Sequence, residues 1–475
     1  MRHSTVPGAP GPVRACDAYA PGMATRFLVI GGGPAGHTAA SVAAGLGADV
    51  TLIERDVLGG AAHLWDCVPS KAMIATGGEL MALLRSEDMG IDAAAGVVDV
   101  DALRARMHDI QDHLRDDVET LLRSQGVRIL RGTGRLASAR TAVLEHDGGA
   151  ETVEFDAVLL STGSRPRIPD WVVPDGDRIL TTRDAYPPPV VPDHVVVVGS
   201  GVTGVEFAHM FTTFGARVSL VVSRQQVLPT KDPEVAAVLE ASFAERGVEL
   251  HKGARAAAIR READGVVVEC EDGRVVRGSH ALLAIGSIPN SEALGLEAAG
   301  LSATDWGTIP IDHNCLTAVP GVYVAGDLSG KLPLSSVASM QGRKIAEHAM
   351  GMHAMAHRHL DYDKAASAIF TVPEIADVGL AEADAFASGR KIRVTKVPFA
   401  ANAKALIAGD ARGFVKVISD PATGVVLGGS IVGEHAAELI SVLAVAVTNG
   451  LRTQDIVESL LVHPSLAEAI VEASF

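Results

Sequence analysis

"RFLVIGGGPAGHTAASVAAGLGADVTLIERD", residues 26–56, decides the fold. Phe27 to Ile30 are a short apolar run that predicts a strand. Gly31, Gly33 and Gly36 follow at GxGxxG spacing. The first glycine permits a tight turn, the second lets the backbone approach a pyrophosphate, and the third lets a helix pack close to the strand. A helix entered through Pro34 and Ala35 would turn its free N–H groups and positive dipole end towards the phosphates. Glu54, at the end of the next strand, can accept hydrogen bonds from ribose hydroxyls. A lone GxGxxG is weak, but here the strand, helix and distal acid are all in order, which makes a strong dinucleotide-binding signal.

The pattern recurs at "HVVVVGSGVTGVEFAHMFTTFGARVSLVVSRQQVLP", residues 194–229. Val195 to Val198 form the strand, and Gly199, Gly201 and Gly204 the fingerprint, with Thr203 in the first helical turn. Val222 stands where the ribose-binding acid belongs, and Ser223 and Arg224 follow. A carboxylate would repel a 2′-phosphate, whereas a hydroxyl and a guanidinium would bind one. NADPH is therefore expected, with NADH a second option; the bland alternative is that Arg224 is a solvated surface arginine. Two fingerprints imply two dinucleotides, and one nicotinamide nucleotide plus one FAD is the economical pair: a hydride donor and a flavin that accepts it.

The 475 residues suffice for several domains. With 48% hydrophobic and 21% charged residues the chain can bury large cores. A formal net charge of −16 and the lack of a dense Lys/Arg stripe disfavour a nucleic-acid partner. The four cysteines, Cys16, Cys67, Cys270 and Cys315, are widely spaced, with no CxxC pair and no Cys/His metal spacing. That usage fits a reducing, cytoplasmic setting, and no metal site is expected. Apolar stretches such as Val442 to Val447 are too short to span a bilayer, so no integral membrane segment is expected. Residues 1–23, rich in Pro, Gly and Ala, read as a disordered or non-native extension rather than a signal peptide.

One segment breaks the pattern of a thiol enzyme. In "GGAAHLWDCVPSK", residues 59–71, Cys67 is present, but Ala62 stands four intervening residues earlier, where a partner thiol could close a small disulfide loop.

Together these residues resemble the pyridine nucleotide–disulfide oxidoreductases, the flavoprotein family of dihydrolipoamide dehydrogenase and glutathione reductase. The resemblance runs from about Met23 to the C-terminus. "STGSRPRIP" from Ser161 and "AIGSIPN" from Ala284 resemble the family's two crossovers between domains. "VYVAGDLSG", with Asp327, resembles its second FAD motif, "FTVPEIADVGL" from Phe370 the opening of its dimerisation domain, and "HPSLAEA" from His463 its C-terminal active-site motif. The implied fold class is α/β: two Rossmann-like dinucleotide-binding domains, one inserted in the other, plus a C-terminal α/β dimerisation domain. The implied boundaries are 24–165 and 288–360 for FAD, 166–287 for NAD(P)H and 361–475 for dimerisation. By the same resemblance Gly60, Gly134, Thr162, Gly163 and Asp327 join the FAD set, and Gly286 the nicotinamide nucleotide set.

The resemblance also implies roles. Lys71 would sit beside the flavin, paired with Glu206, since a buried ammonium needs a counter-charge. Cys67 would be the flavin-proximal cysteine, tuning the flavin or merely packing beneath it. His463, oriented by Glu468, would come from one chain of a homodimer to the flavin of the other and manage a proton. Pro464 suits a helix start, with His463 at the helix mouth. Departures are equally clear. Ala62 removes the sulfur that would attack a disulfide. Trp65 and Asp66 fall where small polar residues are usual, Ser336 where His is common, and Gln341 where Glu is common. Trp65 could stack on an aromatic acceptor or simply fill space.

An intact flavin site without a dithiol relay points to an NAD(P)H:quinone oxidoreductase of the branch similar to dihydrolipoamide dehydrogenase. Three other readings stay open: a soluble transhydrogenase, a single-cysteine peroxide or disulfide reductase using Cys67, and a non-catalytic flavoprotein subunit.

Overall fold

The computed structural model describes residues 24–92, 96–352 and 360–475. The N-terminal extension and Cys16 lie outside the described residues.

The first glycine motif belongs to a five-stranded parallel sheet. Arg26–Ile30 is central, flanked by Asp49–Glu54 and Ala157–Leu160, with Arg128–Arg131 and Val322–Val324 at the edges. The inner strands are apolar because both faces are covered: helices lie on one, and the antiparallel strands Thr133–Leu136, Thr141–His146 and Gly149–Glu154 lie on the other. The helix Pro34–Gly45 packs on one face against Ser335–Ala349. Gly342 permits that contact, because a Cβ there would strike the Ala35 carbonyl.

The second motif repeats the plan. His194–Val198 lies between Arg217–Val222 and His280–Leu283 in another five-stranded parallel sheet, with Glu249–Lys252 and Ile179–Thr181 outermost. Two short segments, Ser164–Pro166 and Ser287–Pro289, pair antiparallel, carrying the chain out to this unit and back. They coincide with the two stretches read as crossovers.

The C-terminal unit is a five-stranded antiparallel sheet backed by the helix Ala436–Asn449. The Val442 to Val447 stretch lies in that helix, partly facing its core. Lys416, 1% exposed, ties this sheet to the second unit. Its ammonium meets Asp232 at 2.7 Å, Glu234 at 2.6 Å and Glu382 at 2.8 Å. One apolar core also runs between units: Ala72 and Met73 pack with Val205, Phe207, Ile369 and Phe414. That core holds the helix Cys67–Leu84 beside Val202–Thr213, the helix that leaves the second glycine loop. At Gly77 a Cβ would lie 3.2 Å from the Thr213 methyl group, so the two helices run close together.

Among the described residues, no helix is long and apolar enough to cross a membrane.

Candidate active site

The two glycine loops have the same internal logic. Gly31 and Gly199 adopt φ of 104° and 111°, and a Cβ on either would strike the carbonyl of the neighbouring strand, Ser161 or Ala284. A Cβ on Gly36 or Gly204 would strike the carbonyl of the first glycine. The middle glycines differ: a Cβ on Gly33 or Gly201 would meet nothing within 4 Å. Both are helix N-caps without a side-chain cap, so the first-turn N–H groups, at Ala35 (Pro34 has none) and at Val202–Thr203, face an open cradle. A dinucleotide pyrophosphate fits that cradle by charge and by space.

Neighbouring residues shape the first cradle. Glu54 is buried; its carboxylate accepts from the Gly32 amide at 2.6 Å and the Asp56 amide at 2.7 Å. Burial pushes its pKa up. Free lone pairs remain for a further donor such as a ribose hydroxyl. Gly60 packs onto Gly33. Thr162 and Gly163 are pinned by Asn290, whose amides bond the Thr162 carbonyl at 3.0 Å and the Gly163 carbonyl at 2.9 Å. Asp327 accepts from the Ser164 hydroxyl at 2.5 Å. Gln341, fully buried, accepts from the Gly326 amide at 2.8 Å and so holds the turn that carries Asp327. Gly134 lies in a strand, where a Cβ would press on Ile30 and Ile53. At the second cradle Ser223 and Arg224 stand exposed just past the strand Arg217–Val222, and Gly286 adopts φ of 94°.

Between the cradles, Lys71 and Glu206 meet. The ammonium donates to both carboxylate oxygens, at 3.0 and 2.9 Å. The Phe370 amide also donates to Glu206 at 3.0 Å, and the Lys71 ammonium lies 4.6 Å from the Phe370 ring centre. The side chain of Glu206 is 5% exposed and that of Lys71 34%, so the ion pair is anchored inside while its cation reaches a recess. One turn earlier, Cys67 opens onto the same recess, with its sulfur 3.7 Å from the Ser335 hydroxyl. Its thiol is accessible yet surrounded by protein, and burial pushes its pKa up. Asp66, beside it, is pushed up to about 6, chiefly by burial. Tyr186 stacks on Phe207 at 4.6 Å, and burial followed by the charge of Glu206 holds its hydroxyl well above the usual range. Trp65 stays 41% exposed, with the Arg183 guanidinium 5.8 Å from its ring centre.

His463 and Glu468 form their own pair, Nδ1 to Oε1 at 2.7 Å, on an exposed surface. Within the chain they make no hydrogen bond or ion pair to Lys71, Glu206 or Cys67 among the described residues. The bond to His463 lowers the Glu468 pKa. One expectation is corrected here: Pro464 does not begin a helix. The helix is Glu468–Glu472, and Pro464 lies in the turn before it. Glu468 organises that turn instead, because its second oxygen accepts the Ser465 amide at 2.8 Å.

Several residues of this site are not singled out by the sequence. Arg183 and Tyr186 follow the strand Ile179–Thr181 and lie in none of the motifs, whereas Ser164, Asn290 and Phe370 lie inside the crossover and dimerisation motifs without any spacing that marks them for this site.

Paired cradles with a lysine tethered across them place the chain among enzymes that move electrons between two dinucleotides. The family model for pyridine nucleotide-disulphide oxidoreductases matches residues 25–342, and the model for that family's dimerisation domain matches residues 365–474; the chain belongs to this family. Membership implies FAD and a nicotinamide nucleotide as cofactors. The chain is 42% identical over 464 residues to an NAD(P)H dehydrogenase (quinone) of Mycobacterium tuberculosis, covering 95% of this chain and 94% of that protein. It is 38% identical to a dihydrolipoyl dehydrogenase of Haloferax volcanii, covering 95% of each chain. Among solved structures it is similar to LpdA of Mycobacterium tuberculosis, with a TM-score of 0.90, 41% identity, and coverage of 95% of this chain and 99% of that one.

Proposed function

We propose that this protein is an FAD-dependent NAD(P)H:quinone oxidoreductase whose electrons leave without passing through a disulfide. One observation carries the reading: the recess keeps Lys71, Glu206 and Cys67, but Ala62 sits on the short helix Gly60–Leu64 where an attacking sulfur would be needed. The other described cysteines are no substitute, since Cys270 and Cys315 are buried in separate cores. The relative from Mycobacterium tuberculosis named a quinone dehydrogenase supports the same acceptor class.

Residues 24–165 and 288–360 would form the FAD domain and 166–287 the NAD(P)H domain. In the first, Gly31, Gly33 and Gly36 would hold the pyrophosphate, Glu54 the ribose, and Thr162, Gly163 and Asp327 the rest of the chain leading to the flavin. In the second, Gly199, Gly201, Thr203 and Gly204 would hold the nicotinamide nucleotide. Ser223 and Arg224 favour NADPH, because both are exposed and neither has an acidic partner among the described residues. Bound FAD would supply the chemistry of accepting a hydride and passing two electrons on. Lys71 then holds a positive charge at the recess, and Glu206 fixes its position. The C-terminal unit, 361–475, would pair two chains, so that the partner subunit's His463, oriented by its glutamate, reaches the site.

The pushed-up thiol argues against a single-cysteine mechanism, in which Cys67 itself would have to attack. Turnover with menadione, glutathione disulfide and lipoamide, each driven by NADPH and by NADH, tests the reading in wild type and Cys67→Ser. We expect menadione to be reduced and Cys67→Ser to keep most of that rate. Disulfide turnover without quinone turnover, or near-complete loss in the variant, would reject it.

A further inference from the structure

Asp66 stands at the N-cap position of the helix Cys67–Leu84, yet its side chain caps nothing. Its carboxylate has no hydrogen bond or ion pair among the described residues. Three charged groups from three places face it: Arg183 from the turn Thr182–Asp184, Lys71 from the next turn of its own helix, and Asp327 from Gly326–Ser329. Neither cation is bonded to it, although the charge of Arg183 partly offsets the effect of burial. Lys71 is held by both oxygens of Glu206. Arg183 donates to the Ser164 carbonyl at 3.1 Å and lies over Trp65, while its Nε has no partner. Asp327 is a like charge, itself engaged with the Ser164 hydroxyl. Asp66 is thus a half-buried carboxyl group with no bonded counter-ion, adjoining Cys67 in the chain. Burial favours its neutral form, and its pKa of about 6 lets it give up and regain a proton near neutrality. The remaining titratable neighbours, Cys67 and Tyr186, are pushed the other way from usefulness: both keep their protons at neutral pH.

We propose that Asp66 delivers to the electron acceptor the proton that its two-electron reduction consumes. The inference rests on the quinone reading. A quinone becomes a hydroquinone by gaining two electrons and two protons. NAD(P)H supplies a hydride equivalent, which is two electrons and one proton, so one more proton must reach the acceptor. The Asp66 O–H bond breaks as an O–H bond forms on a quinone oxygen. Water then reprotonates the carboxylate through the open side of the recess, where Trp65 and Cys67 are exposed.

Asp66→Asn keeps the size and polarity but has no proton to give, and Asp66→Glu restores one. Both are assayed with NADPH against menadione, which takes up protons, and ferricyanide, which takes single electrons and none, between pH 5 and 8. We expect Asp66→Asn to slow menadione reduction roughly 10²-fold, a typical general-acid contribution. Ferricyanide should slow far less, Asp66→Glu should recover much of the menadione rate, and the limb near pH 6 should vanish only in Asp66→Asn. Infrared pH-difference spectra of the FAD-free protein give an independent readout: a carboxyl C=O band lost between pH 5 and 7.5 in wild type and missing in Asp66→Asn. A wild-type menadione rate in Asp66→Asn, equal slowing of both acceptors, or no titrating band specific to Asp66 would overturn the proposal. A wild-type protein that reduces no quinone overturns the functional reading instead, and the infrared band separates that failure from a carboxyl that carries no proton.

Discussion

At Cys67, burial raises the thiol pKa, and neither the Ser335 hydroxyl nor the Lys71 charge offsets it. Glu206 is the reason Lys71 does so little, because it neutralises the ammonium at two contacts of 3.0 Å and below. The sulfur therefore rests as a thiol, a poor nucleophile. Mass-spectrometric mapping of iodoacetamide labelling on FAD-free protein should find Cys67 modified slowly at pH 7. Its rate should climb only above about pH 8.5, the ordinary thiol pKa. A labelling midpoint below that value would mean a stabilised thiolate. At this scale the sequence displays Cys67, Lys71 and the missing sulfur directly. It hides the environment of Asp66, which is assembled by Arg183 and Asp327 from separate loops, so no local spacing announces it. The pairing of Lys71 with Glu206 is likewise invisible to periodicity and enters only through family resemblance.

Among the elements, the two strand–glycine–helix units are legible because several rules agree at once: an apolar run, three glycines and an acid or its replacement at the far strand end. The crowding around the outer glycines shows why those positions are so restrictive. Pro464 is misread because proline before a helix is only one of several ways to enter it, and here a glutamate side chain governs the turn. Lys416 is a different lesson: a single lysine in a run of apolar strand residues looks like a solvent-facing position, yet it is 1% exposed and ringed by three carboxylates, Asp232 and Glu234 from another unit and Glu382 from its own. Lys416→Met leaves Asp232 and Glu382 without this cation, while Glu234 keeps Lys396 at 2.8 Å. We expect a loss of about 1–3 kcal/mol, below that of a fully buried pair, because the stranded carboxylates keep partial access to water. The loss should shrink as the pH falls, because the stranded carboxylates then take up protons. Thermal melts of wild type and variant at pH 8 and pH 5 measure both effects, and an unchanged melting temperature at pH 8 would show that the knot contributes nothing.

For the whole molecule, the telling feature is the surface around His463. Leu460 is fully exposed and Val462 75% exposed, directly beside the His463–Glu468 pair, at the end of a segment matched by the family's dimerisation domain. Apolar side chains at such a place suit a self-complementary interface between two copies. Lys71 and Cys67 lie in the recess of one chain, while the histidine that would serve them faces outward. A chain bearing Lys71→Met and a chain bearing His463→Ala are each expected to be crippled as homodimers. Unfolded together and refolded, they should form mixed dimers in which one of the two centres regains every group it needs. Random assortment would then return about a quarter of the centres to full competence, as two-fold symmetry dictates. If the refolded mixture is no more active than its parents, each chain works from its own histidine or from none. With that rescue observed, the exposed pair would let two defective genes complement one another within a single cell, and would equally let an inert copy disable a sound one.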